Sequence, residues 1–117
     1  MRIPKIVSGG QTGVDQAALR AARAMGLETG GWAPKGWLTE DGPAPWLADY
    51  GLQECAAPGY AARTDANARD SDLTIWIGST ESTGFRTTVR ACFRWERPLF
   101  LLAEGMTVHD VFGWLKF

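Results

Sequence analysis

The chain has 117 residues, of which 45% are hydrophobic and 21% are charged, and its formal net charge at pH 7 is −1. This length and composition predict one globular domain over residues 1–117 and exclude an intrinsically disordered chain. Without a net basic charge, binding to a nucleic-acid polymer is not expected. No apolar run approaches the roughly 20 residues that span a bilayer and no secretory leader is evident, so we expect a cytoplasmic protein without membrane contact. Cys55 and Cys92 lack the spacing of metal ligands, so we expect reduced structural thiols and no metal site.

The hydrophobic pattern alternates between strand-like and helix-like segments. Strands are predicted at residues 5–8, 28–33, 73–77 and 99–102, and helices at residues 14–25, 60–69, 85–95 and 108–115. Gly26 is a typical stop for the first helix. Residues 34–58 are rich in proline, glycine and acidic side chains without a clear period, which predicts a long functional loop. The alternation indicates an α/β fold with three α/β/α layers and a mainly parallel sheet.

Two junctions between a predicted strand and a predicted helix combine glycine with hydroxyl residues. Residues 8–15 read SGGQTGVD, and residues 78–84 read GSTESTG. Glycine lets the backbone approach a ligand, while unpaired amides and the helix dipole attract anions. If the two strands are neighbours, both turns line one crevice at the carboxyl edge of the sheet. Because the first turn matches neither Walker A nor GxGxxG, we predict an anion pocket but not a standard ATPase or dehydrogenase.

Asp15 has two interpretations. Thr12 and Asp15 fit the hydroxyl-x-x-acid pattern of a capping box, in which Asp15 helps to start the helix. Alternatively, a carboxylate at the rim of the pocket bonds ribose hydroxyls or acts as a general acid or base. The two roles are compatible, and both stay open.

A set of polar residues lies on the second predicted helix. Arg63, Asn67 and Asp70 recur at helical spacing and therefore share one face. A solvated surface and a ligand or subunit contact both explain this set. Lys35, in the long loop, is a candidate phosphate contact. Residues 40–42 (Glu-Asp-Gly) form either a turn, which we favour, or a carboxylate pair.

Six tryptophans are many for a chain of this length. Trp76 lies in an apolar run and is predicted to be in the core. Trp37 and Trp46 flank the long loop, where they either pack it onto the domain, stack on a base or bury a subunit interface. His109 is interpreted as a structural residue.

Several motifs together resemble one family. They are KIVSGGQTGVD at residues 5–15, GGWAPKG at 30–36, EDG at 40–42, RTDAN at 63–67 and RDSD at 69–72. In this order they resemble the molybdenum carrier family, a circularly permuted, YpsA-type branch of the SLOG superfamily. The resemblance implies a Rossmann-like sheet and a nucleotide-derived ligand on the glycine turns, with the molybdenum cofactor as one candidate. Family members usually continue into one more strand and helix, so we expect either a minimal form or a pocket completed by another subunit of a homo-oligomer.

A sister branch, the lonely-guy phosphoribohydrolases, cleaves nucleoside monophosphates at the N-glycosidic bond. Its signature, Pro-Gly-Gly-x-Gly-Thr-x-x-Glu, is only loosely similar to the first turn. The turn lacks the preceding proline, and its acid is Asp15 rather than a glutamate at the matching offset. The hydrolase is therefore the alternative and not the leading hypothesis.

The leading hypothesis is a binding protein for a phosphate-bearing, nucleotide-derived small molecule. Turn amides and hydroxyls would cradle the phosphate, Asp15 would hold a sugar hydroxyl, and Arg63 or Lys35 would offset the negative charge. The predicted ligand-binding residues are Gly9, Gly10, Gln11, Thr12, Gly13, Asp15, Lys35, Arg63, Asn67, Ser79, Thr83 and Gly84. In the alternative hydrolase, Asp15 or Glu81 would be the catalytic residue.

Overall fold

Helices and parallel strands make up most of the computed structural model, which describes residues 4–102 and 105–106. The α-helices are α1 (Val14–Ala24), α2 (Tyr60–Arg69) and α3 (Thr83–Arg94). The strands are β1 (Lys5–Val7), β2 (Glu28–Ala33), β3 (Leu38–Thr39), β4 (Gly42–Pro43), β5 (Leu52–Glu54), β6 (Thr74–Trp76) and β7 (Leu99–Leu101). Two 3₁₀ helices span Lys35–Trp37 and Pro45–Tyr50. The helix predicted at residues 108–115, with His109, lies outside the described residues.

In the described residues, the strands form two parallel sheets, of three and two strands, and one antiparallel hairpin. β2 lies between β1 and β5 and is parallel to both, with Val7 opposite Gly30 and Ala33 opposite Glu54. β6 pairs in parallel with β7, while β3 and β4 form the hairpin. The predicted α/β class with mainly parallel pairing is confirmed.

Helix α1 joins the two parallel sheets through the core. Ala21 and Ala22 of α1 are buried with Leu27, and both Ile6 of β1 and Ile75 of β6 pack against this cluster. A second cluster joins α1 to β2, β5 and the segment after β4; its buried members are Leu19, Ala33, Ala44, Leu47 and Leu52. A third joins α2 to α3 and includes Cys92, which like Cys55 is a buried free thiol, as predicted. Because β1 and β6 both pack against α1, the glycine turns that follow these two strands begin next to the same core cluster.

The long loop predicted at residues 34–58 contains more regular structure than expected. Strand β5 lies inside it and extends the parallel sheet. Only the first residue of this strand is buried, so it has no apolar run that sequence patterning detects. Trp37 and Tyr50 pack the segment onto the second cluster, whereas Trp46 stays 39% exposed. Trp76, predicted to be in the core, is only partly buried.

Helix α3 begins at Thr83, two residues before its predicted start at Phe85. The reason is a side-chain cap: Ser82 Oγ accepts a hydrogen bond from the Phe85 N–H at 3.1 Å. The other predicted bounds agree within one residue for α1 and fully for α2, and Gly26 has the left-handed φ of 76° expected of a helix stop. None of the described helices is long and apolar enough to cross a membrane.

Candidate functional site

The turn after β1 lies directly against the first turn of α2. Gly9 faces Arg63 so closely that a Cβ atom at Gly9 would be 2.0 Å from Arg63 Nη1. The next residue, Gly10, has a φ of 78°, and a Cβ atom there would be 2.6 Å from Leu47 Cδ1. No other residue type fits these two positions without displacing a neighbour. The glycines therefore allow the close approach of the protein's own side chains, and the approach of a ligand stays a prediction.

Three amides of the turn are already bonded to side chains of the same segment. Gly10 N–H donates to Ser8 Oγ at 3.1 Å, Gln11 N–H to Asp15 Oδ2 at 3.1 Å, and Thr12 N–H to Gln11 Oε1 at 3.0 Å. Ser8 Oγ in turn donates to the Asp15 carbonyl oxygen at 2.9 Å. The amides of residues 13–15 donate no hydrogen bond within residues 4–102. The amides free for an anion are thus those of the first turn of α1.

The predicted capping box is wrong. The N-cap of α1 is Gly13, with a φ of 86° and no side-chain hydrogen bond at the cap. The Thr12 hydroxyl instead bonds Gln11 Oε1 at 3.3 Å and Glu40 Oε2 at 3.4 Å. The Asp15 carboxylate reaches back to Gln11, which leaves its second interpretation, as a side chain of the site, in place.

Asp15 and Arg63 form an ion pair across the site. Arg63 Nη1 donates to Asp15 Oδ2 at 3.1 Å, and the side chains are 13% exposed for Arg63 and 33% for Asp15. Burial raises the pKa of Asp15 by more than Arg63 and the Gln11 N–H lower it. Arg63 Nε is buried without a hydrogen-bond partner among the described residues. The structure therefore unites two predicted site residues that are 48 positions apart.

Asn67 and Asp70, predicted on the same face as Arg63, contact β2. The Asn67 side chain accepts a hydrogen bond from the Trp32 N–H and donates one to the Trp32 carbonyl oxygen. Trp32 Nε1 donates to Asp70 Oδ2 at 2.8 Å. Hydrogen bonds from Arg69 and then from Trp32 lower the pKa of Asp70 to about 2. Asn67 and Asp70 therefore hold α2 against the sheet.

The β3–β4 hairpin contacts the glycine turn that follows β1. Glu40 N–H donates to Gln11 Oε1 at 2.8 Å, and Asp41 N–H donates to Thr39 Oγ1 at 3.1 Å, which confirms the predicted turn at residues 40–42. A hollow of about 130 Å³ lies beside this contact, lined by residues that include Thr12, Gln16 and Asp41. It is smaller than the roughly 300 Å³ at which small-molecule pockets begin.

Gln16 is a site residue that sequence reasoning missed. Its side chain is buried and its Nε2 donates to the Gly10 carbonyl oxygen at 3.0 Å. The available signal was a glutamine on the same face of α1 as buried Leu19, three positions further on.

The remaining predicted residues lie on other segments. Lys35 is exposed at the carboxyl end of β2 and makes no ion pair within residues 4–102. In the second turn, Glu81 N–H donates to Ser79 Oγ at 3.1 Å, ahead of Thr83 and Gly84 at the start of α3. No hydrogen bond joins the two glycine turns within residues 4–102, so the shared crevice stays a prediction. In the same part of the chain, no three His, Cys, Asp or Glu side chains are placed to hold a metal ion.

Comparison with known proteins identifies similar sequences and structures. The model of the circularly permutated YpsA SLOG family matches residues 6–116. The fold is similar to the crystal structure of a "putative molybdenum carrier protein" from Syntrophus aciditrophicus SB, with a TM-score of 0.77 and 40% sequence identity. The match covers 86% of this chain but only 63% of that chain. No curated protein matches the sequence. The similarity confirms the predicted Rossmann-like fold.

Proposed function

Since this chain belongs to the circularly permutated YpsA SLOG family, we propose that it binds a phosphate-bearing, nucleotide-derived small molecule at the turn after β1. The observation that carries the proposal is the placement of Arg63. Its guanidinium is held over Gly9, and Nε is buried without a partner among the described residues. A guanidinium beside the N-terminus of a helix is a typical phosphate site, because the charge and the free amides act on the same anion.

The other residues have assigned roles in this proposal. The free amides at Gly13, Val14 and Asp15 bind phosphate oxygens together with Arg63, and Asp15 also accepts a sugar hydroxyl. Lys35 offsets charge from the end of β2. The second turn supplies further amides and hydroxyls from the start of α3, at Ser79, Thr83 and Gly84. The molybdenum cofactor, which the family resemblance implies, is one candidate ligand, and the similarity to a molybdenum carrier protein supports it.

The test is binding by calorimetry to inorganic phosphate, adenosine monophosphate, ADP-ribose and molybdopterin. Arg63→Gln is expected to weaken binding by about tenfold or more, since a charge-assisted hydrogen bond contributes about 1.5–3 kcal/mol. Arg90→Gln, which removes an exposed arginine of α3, is the matched control and should bind as wild type does. Absence of binding across the panel, with no ligand seen in native mass spectra of the purified protein, would overturn the proposal.

A second candidate function is hydrolysis of the N-glycosidic bond of a nucleoside monophosphate. The observation that favours it is the half-buried Asp15 carboxyl beside Arg63 at the glycine turn, whose pKa burial raises, because carboxyls with raised pKa values at such sites are candidate general acids. Release of free base by wild type and its loss in Asp15→Asn would support a catalytic Asp15. Glu81→Gln tests the other predicted acid, which is exposed on the second turn. Turnover unchanged by both substitutions would exclude both residues.

Self-association is the last part of the proposal. Large apolar side chains are exposed on α3 and β7, above all Phe93, which is 86% exposed, and Phe100, which is 54% exposed. Such side chains are typical of subunit interfaces when they form a patch. Trp114 and Phe117 are further candidates for this interface, and they lie outside the described residues. Sedimentation of wild type and Phe93→Ser tests this, and a wild-type monomer at all concentrations would contradict it.

A further inference from the structure

The Asp15 carboxylate makes the contacts that an oxygen of a bound phosphate would make. A single oxygen, Oδ2, receives both the Gln11 N–H and Arg63 Nη1, each at 3.1 Å. A backbone amide of a glycine turn that leads into a helix, together with an arginine, is a common donor set for phosphate. We propose that Asp15 is an internal competitor for the anion site, and that a ligand phosphate binds by displacing it from Arg63 and Gln11.

The Arg63 guanidinium is closely bounded on two sides. Gly9 bounds its guanidinium on one side, and the Tyr60 ring lies 5.5 Å from its Cζ atom. The side chain is only 13% exposed, so water screens its charge weakly. A second anion that reached Nη1 while Asp15 stayed in place would lie beside a like charge, which opposes binding. In the proposed exchange, a phosphate that takes Nη1 therefore replaces Asp15 there.

Asp15 is placed so that exchange is feasible. Its side chain is 33% exposed, so the carboxylate can turn towards solvent without crossing the core. Its ionised form is held in a partly desolvated position, which makes the pair less favourable than the contact distances alone suggest. Once released, the carboxylate lies at the rim of the site and can accept a sugar hydroxyl. Competition for the phosphate and recognition of the sugar are thus successive roles of one side chain.

The inference rests on the proposed function, because it assumes that an anion binds at Arg63. The test is calorimetric titration of Asp15→Asn with inorganic phosphate at constant ionic strength. Asparagine keeps the size of the side chain and an acceptor for the Gln11 N–H but removes the charge. We expect phosphate to bind about tenfold more tightly, the change produced by about 1.4 kcal/mol. Asp15→Ser, which also suits the first turn of a helix, repeats the test if the first variant folds poorly.

The matched control is Asp41→Asn. Asp41 is exposed and lines the hollow beside Thr12, so its removal changes the net charge equally without freeing Arg63. Its affinity for phosphate should stay within about twofold of wild type, since exposed charges are screened. An equal gain in both variants would overturn the inference, because general repulsion would then explain it.

The outcomes separate the inference from the function on which it rests. If wild type binds phosphate and Asp15→Asn binds no more tightly, Asp15 does not compete and the proposed function stands. If no variant binds phosphate or any member of the ligand panel, both fall. If wild type binds another member of the panel and only Asp15→Asn binds inorganic phosphate, both are supported. The substitution Asp15→Asn should increase the affinity for ribose 5-phosphate less than the affinity for inorganic phosphate, because the sugar loses its carboxylate partner.

Discussion

Asn67 takes the place of a strand residue beside Trp32. Its Oδ1 accepts from the Trp32 N–H at 2.8 Å, and its Nδ2 donates to the Trp32 carbonyl oxygen at 3.1 Å. The ladder between β1 and β2 ends at Gly30, where Ser8 N–H makes the last backbone bond. One amide side chain thus continues the edge of β2 after β1 has turned away into the glycine turn.

Asn67→Leu is expected to lower the free energy of unfolding by about 2–3 kcal/mol, because the Trp32 N–H and carbonyl both lose their partner. Gln53→Leu is the matched control, since Gln53 is an exposed amide on the adjoining strand β5. It should change the free energy by less than about 0.5 kcal/mol. Urea unfolding of the three proteins measures both values, and equal effects would contradict the role of Asn67.

Three glycine-to-alanine variants should rank in a defined order of stability. At Gly31, which has a φ of 129°, a Cβ atom would be 2.3 Å from the Ser8 carbonyl oxygen, so the backbone itself must move. At Gly9 the obstacle is the Arg63 side chain, which can shift at the expense of its ion pair. At Gly84 the nearest atom is 3.8 Å away, and alanine favours the helix.

We therefore expect Gly31→Ala to cost about 3 kcal/mol or more and Gly9→Ala about 1–2 kcal/mol, with Gly84→Ala neutral or slightly stabilising. Thermal or urea unfolding gives the order. If Gly9→Ala proved as stable as Gly84→Ala, the close packing of Arg63 on the turn would be wrong.

Asp70 and Asp15 should have opposite effects on the pH dependence of stability. The pKa of Asp70 is lowered from 3.8 to about 2, so its contribution is present above pH 3.8 and is lost as the pH falls towards 2. The pKa of Asp15 is raised above 3.8, so the folded state holds the proton of this carboxyl more tightly than the unfolded state does. The stability that this proton contributes is present below pH 3.8 and is lost as the pH rises through the raised pKa.

These opposite pH dependences are tested by measuring the free energy of unfolding as a function of pH for wild type, Asp70→Asn and Asp15→Asn. The advantage of wild type over Asp70→Asn should shrink on acidification, by less than about 1 kcal/mol because the pair with Arg69 is largely exposed to water. Relative to Asp15→Asn, wild type should instead gain on acidification. Parallel curves for all three proteins would contradict both assignments.

Gln11 should control the local stability of the contact between the turn and the hairpin. Gln11→Met keeps the side-chain length but removes the acceptor that Thr12 N–H and Glu40 N–H share. Amide hydrogen exchange at these two residues should accelerate about fivefold, for a loss of about 1 kcal/mol. The Asp41 amide, which donates to Thr39 Oγ1, is an internal control and should be nearly unchanged. Uniform acceleration would instead indicate global destabilisation.

Local signals predicted most of the fold. Helix α2 has its predicted bounds, and the strands before both glycine turns lie where their apolar residues indicated. Strand β5 could not be predicted, because its three residues form a strand only through pairing with β2. The start of α3 was missed because a serine cap outweighed the apolar pattern that marked Phe85.

Within the candidate site, the sequence identified the residues better than their partners. Helical spacing placed Arg63, Asn67 and Asp70 on one face of α2, and they do share it. What each side chain contacts along that face differs: Arg63 lies on the glycine turn, while Asn67 and Asp70 bind Trp32. The position of α2 relative to β2 decides this, and that position depends on packing between distant segments.

The sequence by itself determined that a glycine turn follows β1 and opens into a helix, because backbone conformation and hydrophobic period are properties of neighbouring residues. It also carried the motifs by which the family is identified. Only the tertiary structure decided that Gly9 accommodates Arg63 and that Asp15 pairs with this residue 48 positions away. Such a pairing depends on how the helices pack against the sheet, which no local pattern encodes. The same packing puts a carboxylate of the protein in the place where an anion is expected.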